Sequence, residues 1–182
     1  MLAGKFRDRF HQAIFPITAS LGRLGLTPNV ITTSGLILTV PLGYSIIKCH
    51  LILSALLIAL CGFIDTLDGA LAEKTNSGSE FGKFYDAFCD RVVEAVIYLS
   101  IAVGFPDLVY PAIIALTLSY LASYIAAWQR GMKYVGVGSR AERMIVLIIA
   151  FFLGEIFYGL IIVSVLAGFT VVHRFYLSLK EG

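Results

Sequence analysis

Charge is what this sequence has least of. Only 14% of its 182 residues are Asp, Glu, Lys or Arg, while 58% are hydrophobic, and the mean hydropathy is +0.87. A soluble domain of this length carries about a quarter charged residues, so a soluble class is excluded and an integral membrane protein is expected. Cysteine is scarce too. Cys49, Cys61 and Cys89 all fall in apolar stretches without metal-type spacing, which reads as small buried hydrophobes and not as disulfide or zinc partners. No dinucleotide fingerprint is present: Gly136-Val137-Gly138-Ser139 follows no strand and lacks the third glycine. An EF-hand is excluded because Asp65-Thr66-Leu67-Asp68 does not supply ligands at alternate positions. No cleavable leader is expected, since Lys5, Arg7, Asp8, Arg9 and His11 precede no compact apolar core with a small-residue cleavage site. There is no internal repeat, low-complexity tract or second domain, so residues 1–182 read as a single membrane domain with no nucleic-acid partner.

What remains is helical and apolar. Over residues 4–23, Phe6, Phe10, Ile14, Ile17 and Leu21 recur at helical spacing, with Lys5, Arg7, Arg9 and Gln12 elsewhere on the wheel. An amphipathic interfacial helix is expected there, its basic side towards anionic headgroups. Leu24-Gly25-Leu26-Thr27-Pro28-Asn29 breaks it, and Thr27 can cap a new helix with Pro28 at its first position. Six membrane-spanning helices are expected, at about 30–48, 51–72, 84–104, 108–129, 141–154 and 156–176. The last two come from one apolar run, 144–172, which as a single helix would be about 43 Å long; Gly154-Glu155 offers the break. Six spans with a cytoplasmic N-terminus put twelve of the fourteen basic residues on the inside, as the positive-inside rule asks. The expected location is the cell membrane, with the polar clusters described next at the cytoplasmic face.

The centre of the sequence is Asp65-Thr66-Leu67-Asp68-Gly69 followed by Gly82-Lys83-Phe84-Tyr85-Asp86-Ala87-Phe88-Cys89-Asp90. Asp65 and Asp68 are three apart and Asp86 and Asp90 four apart, so each pair faces one side of its helix, and a tight reversal can bring the pairs together. Four acids held so close repel one another and lose hydration; divalent cations relieve both costs through hard oxygen ligands. Gly69 and Gly82 permit close approach, and Ser77, Gly78 and Ser79 offer donors to phosphate oxygens. A metal–phosphate site fits this chemistry. Structural pairing of the acids with Arg91 or Lys83, and a cation or proton pathway as in a small transporter, fit it as well.

Asp65-x-x-Asp68-Gly69-x-x-Ala72, then Gly82-x-x-x-Asp86-x-x-x-Asp90, resembles the signature of the CDP-alcohol phosphotransferase family. The resemblance extends over most of the chain, since the family has an interfacial helix followed by six transmembrane helices. It implies Asp65, Asp68, Asp86 and Asp90 as ligands of Mg²⁺ or Mn²⁺, two ions in all, and Asp90 also as the general base. It implies Asn29, Thr32, Gly69 and Ser79 against the CDP-linked lipid, and a homodimer. One position departs: the family's arginine after Ala72 is Glu73 here, so Lys74 is expected to supply the missing charge, and a silent or altered member is the alternative.

Gly138-Ser139-Arg140-Ala141-Glu142-Arg143 resembles the segment opening the fifth helix in the inositol-phosphate-using branch, the phosphatidylinositol-phosphate and archaetidylinositol-phosphate synthases. Arg140 and Arg143, with Arg130, would then hold the acceptor's phosphate in bidentate bonds; as plain positive-inside anchors they would need no ligand. The preceding helix has Ala126 where that branch usually has a basic residue. The implied activity is transfer of a phosphatidyl-type group from a CDP-linked lipid to a polar alcohol with release of CMP. Inositol phosphate is the first expected acceptor, glycerol phosphate the second and serine the third.

Overall fold

The computed structural model describes residues 25–75, 79–128 and 136–181, together with Thr18 and Ser20. The expected interfacial helix 4–23 therefore lies almost wholly outside the described residues, as does Arg130. All regular structure among the described residues is helical: α1 (Pro28–Ile47), α2 (Leu51–Thr75), α3 (Glu80–Gly104), a single 3-10 turn (Pro106–Leu108), α4 (Val109–Trp128), α5 (Arg140–Leu153) and α6 (Ile156–Glu181).

The helix ends follow local chemistry. Thr27 occupies the N-cap of α1 with Pro28 behind it, but its hydroxyl makes no capping bond; its carbonyl accepts from Val30 and Ile31 instead. Ser79 caps α3 by accepting from the Gly82 amide at 2.9 Å. Ser139 and Glu142 form a reciprocal capping box on α5, the Ser139 amide donating to Glu142 Oε2 at 2.7 Å. Gly154 ends α5 with φ of 74°, a left-handed conformation that costs glycine nothing, and so divides the long apolar run where expected.

The helices alternate in direction and close into a ring, with neighbours in the order α1, α2, α5, α6, α4, α3 and back to α1. Leu42, Ile58, Ile97, Ala115, Leu147, Phe151 and Leu160, from all six helices, fill its middle. A smaller group, Ile31, Leu67 and Leu71, lies under the end where α1 begins and α2 stops. The outside of the ring is apolar too: Ile37, Val40, Leu56, Ile113, Ile149, Leu153, Val165 and Val172 are all exposed. A bundle apolar both inside and out matches a hydrocarbon surrounding and not water.

Four helical segments are long and apolar enough to cross a membrane: Pro28–Ile47, Leu51–Lys74, Pro106–Trp128 and Ile156–Lys180. Each of the six expected spans falls on a helix, but only four of the six are long and apolar enough to cross a membrane; α3 and α5 fall short for a reason tied to the site. The core-facing stretch of α3 carries Asp90, Arg91 and Glu94. α5 has 14 residues, about 21 Å, less than the roughly 30 Å of a bilayer core. Both helices bring charge into the bundle.

One expectation about cysteine needs correcting. Cys61 and Cys89 are buried, but Cys49 is exposed. The turn between α1 and α2 is only Lys48–His50, and Cys49 closes it with φ of 57°, which swings its side chain out of the core.

Candidate active site

α2 and α3 carry the four aspartates yet are not neighbours in the ring, so a space is left between them at the end where α2 stops and α3 starts. Into it project Asp65 and Asp68 from α2 and Asp86 and Asp90 from α3. Oxygens of Asp65, Asp68 and Asp86 all lie within 4.8 Å of one another. Two oxygens on the coordination sphere of one divalent cation are at most about 4 to 5 Å apart, so a single ion can touch all three. Asp68 is buried, and its Oδ2 accepts from the Thr32 hydroxyl on α1 at 2.6 Å, which fixes that carboxylate's orientation.

Asp90 is held differently. Arg140, the first residue of α5, reaches back so that its Nη1 lies 2.8 Å from Asp90 Oδ1 and 2.9 Å from Asp65 Oδ2. A guanidinium between two carboxylates marks this as a place that calls for positive charge, in keeping with a cation-binding donor set. The structural pairing weighed from sequence thus exists, but with another partner: Arg91 pairs with Glu94 and Lys83 with Glu80.

The carboxylates form a wall shared by two cavities. The smaller, about 540 Å³, is lined by Gly25–Asn29, Thr32, Asp68, Gly69, Ala72, Ser79, Gly82, Lys83 and Asp86. The larger, about 760 Å³, is lined by all four aspartates and Gly69, by Arg91, Arg140, Arg143 and Arg174, and by apolar Ile58, Phe63, Ile145 and Ile148. Asp68, Gly69 and Asp86 belong to both. A Cβ on Gly69 would meet nothing within 4 Å, so the helix backbone lies bare in this wall and a ligand can come against it. Both cavities have the volume of small-molecule sites; the larger combines arginines with apolar side chains in its lining.

The expected residues fall as follows. Asn29, Thr32, Gly69 and Ser79 line the smaller cavity together. Lys74 lines neither cavity and is exposed, whereas Lys83 lines the smaller. The reason is helical phase: six residues beyond Asp68 is about 240° round the helix, while three residues before Asp86 stays on its face. Glu73 is likewise exposed and lines neither cavity. Arg140 and Arg143 both line the larger. Arg143 is fully buried, with Nε and Nη2 donating to Glu94 Oε1 at 3.0 and 2.7 Å and Nη1 to the Gly138 carbonyl at 2.6 Å.

Two residues were missed from sequence. Arg174, on α6, is buried beside this cavity and donates to the Ala122 carbonyl at 2.5 Å. Glu94 is fully buried at the foot of the site. Its signal was available, because a glutamate one turn beyond Asp90 in an otherwise apolar helix asks for a buried cation.

Comparison with known proteins agrees with this arrangement. Residues 25–173 match the family model described as CDP-alcohol phosphatidyltransferase. An archaetidylinositol phosphate synthase of Pyrococcus horikoshii is 33% identical over 188 residues, covering 99% of this chain and 98% of that protein. The crystal structure of Mycobacterium tuberculosis phosphatidylinositol phosphate synthase with CDP-DAG bound superimposes with a TM-score of 0.77 at 27% identity, covering 88% of this chain and 90% of that one. The same enzyme in complex with manganese and citrate gives a TM-score of 0.78, covering 88% and 86%. Between a transferase and an ion pathway, the alternatives left open by the aspartates alone, this decides for the transferase: the chain belongs to the CDP-alcohol phosphatidyltransferase family.

Proposed function

We propose that this enzyme transfers a phosphatidyl-type group, diacylglycerol- or archaeol-based, from a CDP-linked lipid to inositol phosphate, releasing CMP. The observation that carries the reading is the shared wall: two cavities of unlike character meet on the same carboxylates. The cytidine end lies in the smaller cavity among Asn29, Thr32, Ser79 and Gly82, with Lys83 in the part first expected of Lys74. The N-termini of α1 and α3 point their positive ends at the same space, which suits a diphosphate. The lipid tails leave along Phe63, Ile145 and Ile148. The acceptor occupies the larger cavity, its phosphate against Arg140 and Arg143 with Arg174 beside them; Arg130 completes the basic set by its place in the sequence.

Asp65, Asp68, Asp86 and Asp90 would hold Mg²⁺ or Mn²⁺, two ions in our reading, which when bound offset the negative charge of the diphosphate. The chain's own residues do the rest. Gly69 lets the diphosphate approach the wall, and Thr32 keeps Asp68 turned to it. Asp90 takes the proton of the acceptor hydroxyl as its oxygen forms a bond to the lipid-side phosphorus and the bond from that phosphorus to the CMP oxygen breaks. The six helices all span the membrane in this reading, residues 4–23 lie along its surface, the site faces the cytoplasm, and two copies associate as a dimer.

The test is CMP release by purified protein with CDP-diacylglycerol or CDP-archaeol, Mg²⁺ or Mn²⁺, and inositol phosphate, glycerol phosphate or serine in parallel. Metal-dependent release with inositol phosphate is expected. Release with glycerol phosphate or serine alone would replace the acceptor, and no release with any acceptor and no CDP binding would overturn the reading.

A further inference from the structure

The most deeply buried carboxylate among the described residues, Glu94, lies beneath the reacting groups and has no part in the steps above. Glu94 is fully enclosed, and both its oxygens are used: Oε1 accepts from Arg143 Nε and Nη2, and Oε2 from Arg91 Nη1 at 3.2 Å. Taking such charges out of water is costly, and a well-packed apolar pair usually stabilises a fold as well or better. Stability alone is therefore a poor account of this pair. Its geometry supplies another.

Arg143 does not stop at Glu94. Its Nη1 donates to the Gly138 carbonyl, and the Gly138 amide donates to Thr170 Oγ1 on α6 at 2.9 Å. Gly138 packs directly against α6: a Cβ there would run into the Leu166 carbonyl. One residue, Gly138, is thus clamped at its carbonyl from α3 through Glu94 and Arg143 and at its amide from α6 through Thr170. Ser139 follows it as the cap of α5, and Arg140 comes next, its guanidinium shared between Asp65 and Asp90. Ion pairs of 2.8 and 2.9 Å shared between two carboxylates tolerate little displacement of the residue that makes them.

We propose that Glu94 is a positioning residue for the acceptor half of the reaction: acting through Arg143 and the Gly138 carbonyl, it fixes the start of α5 and so places Arg140 against Asp65 and Asp90. This rests on the acceptor reading of the larger cavity. Glu94 touches neither substrate. The smaller cavity shares no residue with the clamp, so nucleotide binding is insulated from it.

The test compares Glu94→Gln, which keeps the shape and removes the charge, with Thr170→Val, which loosens the clamp from its other end without touching Arg143 or either cavity. In both variants kcat/KM for the acceptor should fall about tenfold or more, as expected when a reacting group is displaced by a fraction of an ångström, while KM for the CDP-lipid stays within about twofold. The two changes together should cost less than the sum of their separate effects, because they release the same residue. Hydrogen exchange over residues 136–145 should quicken in both variants, with that of α2 unchanged. A lowered melting temperature with unchanged acceptor kinetics and unchanged exchange at 136–145 would overturn the proposal, as would equal rises in both KM values. Wild-type protein silent with every acceptor would sink the substrate reading alone; the exchange result would then judge the clamp by itself. If Glu94→Gln does not fold, Thr170→Val still decides.

Discussion

Asp90→Asn should separate nucleotide binding from turnover. Asp90 lines only the larger cavity, whereas Asp68 and Asp86 line both. Asparagine keeps the size of the side chain and an Oδ1 for Arg140 Nη1, which stands 2.8 Å from that atom, so the packing of α3 against α5 has little reason to change. What is lost is the charge and the capacity to take up a proton. A positioned general base contributes about 10²–10⁴ in rate, or about 2.7–5.5 kcal/mol of transition-state stabilisation. We expect kcat to fall by that range, with Kd for CDP in the presence of Mg²⁺ within about threefold of wild type and the melting temperature nearly unchanged. CMP release followed by chromatography, beside a CDP titration, measures both. A fall in kcat of less than about tenfold would remove Asp90 as the base. A parallel loss of CDP affinity would show that Asp90 belongs to the nucleotide side of the wall.

Chelation should abolish CMP release and weaken CDP binding together, because the three converging carboxylates repel one another and the diphosphate once no cation offsets them; full activity in excess chelator would refute the metal site. Gly69→Val should leave the fold intact, since nothing lies within 4 Å of a Cβ there, yet fill the shared wall and lower kcat/KM for the CDP-lipid by about tenfold or more; unchanged kinetics would mean that no ligand comes against this backbone. Glu73→Arg should change kcat by less than about threefold, because position 73 is exposed and lines neither cavity. A gain beyond about tenfold would show instead that the wild-type site is disabled at this position.

The helices and the acidic pairs were legible in the sequence because their signals are local. Intervals of three and four residues fix which side of a helix Asp65, Asp68, Asp86 and Asp90 share, and Gly154 announces the end of α5 through the backbone conformation it permits. The partners of the charges were not legible. Arg143 and Glu94 are 49 positions apart and meet only because α5 and α3 face one another across the ring. Arg140 reads equally well as a loop anchor until the start of α5 is seen to abut Asp90. Lys74 and Lys83 look alike as candidates for a phosphate until the helix phase is worked through, and the exposure of Cys49 depends on a three-residue turn. Location on a helix face was readable, while contact between faces needed the bundle.

The single wall between the two cavities has a consequence for the order of events. If the donor's nucleotide and the acceptor's phosphate reach the shared Asp68 and Asp86 from different cavities, those two groups do not compete for space, and neither has to leave before the other arrives. An enzyme of this plan has no use for a stored phosphatidyl–enzyme intermediate. Double-reciprocal plots should intersect instead of running parallel, and exchange of labelled CMP into the CDP-lipid should require the phospholipid product. The acceptor then decides not only what product is made but whether the donor is broken at all, since water admitted to the larger chamber in its place would release CMP to no purpose. On the proposed acceptor reading, the arginines lining that chamber would favour a phosphate-bearing guest over water and so keep the donor intact until an acceptor is in place.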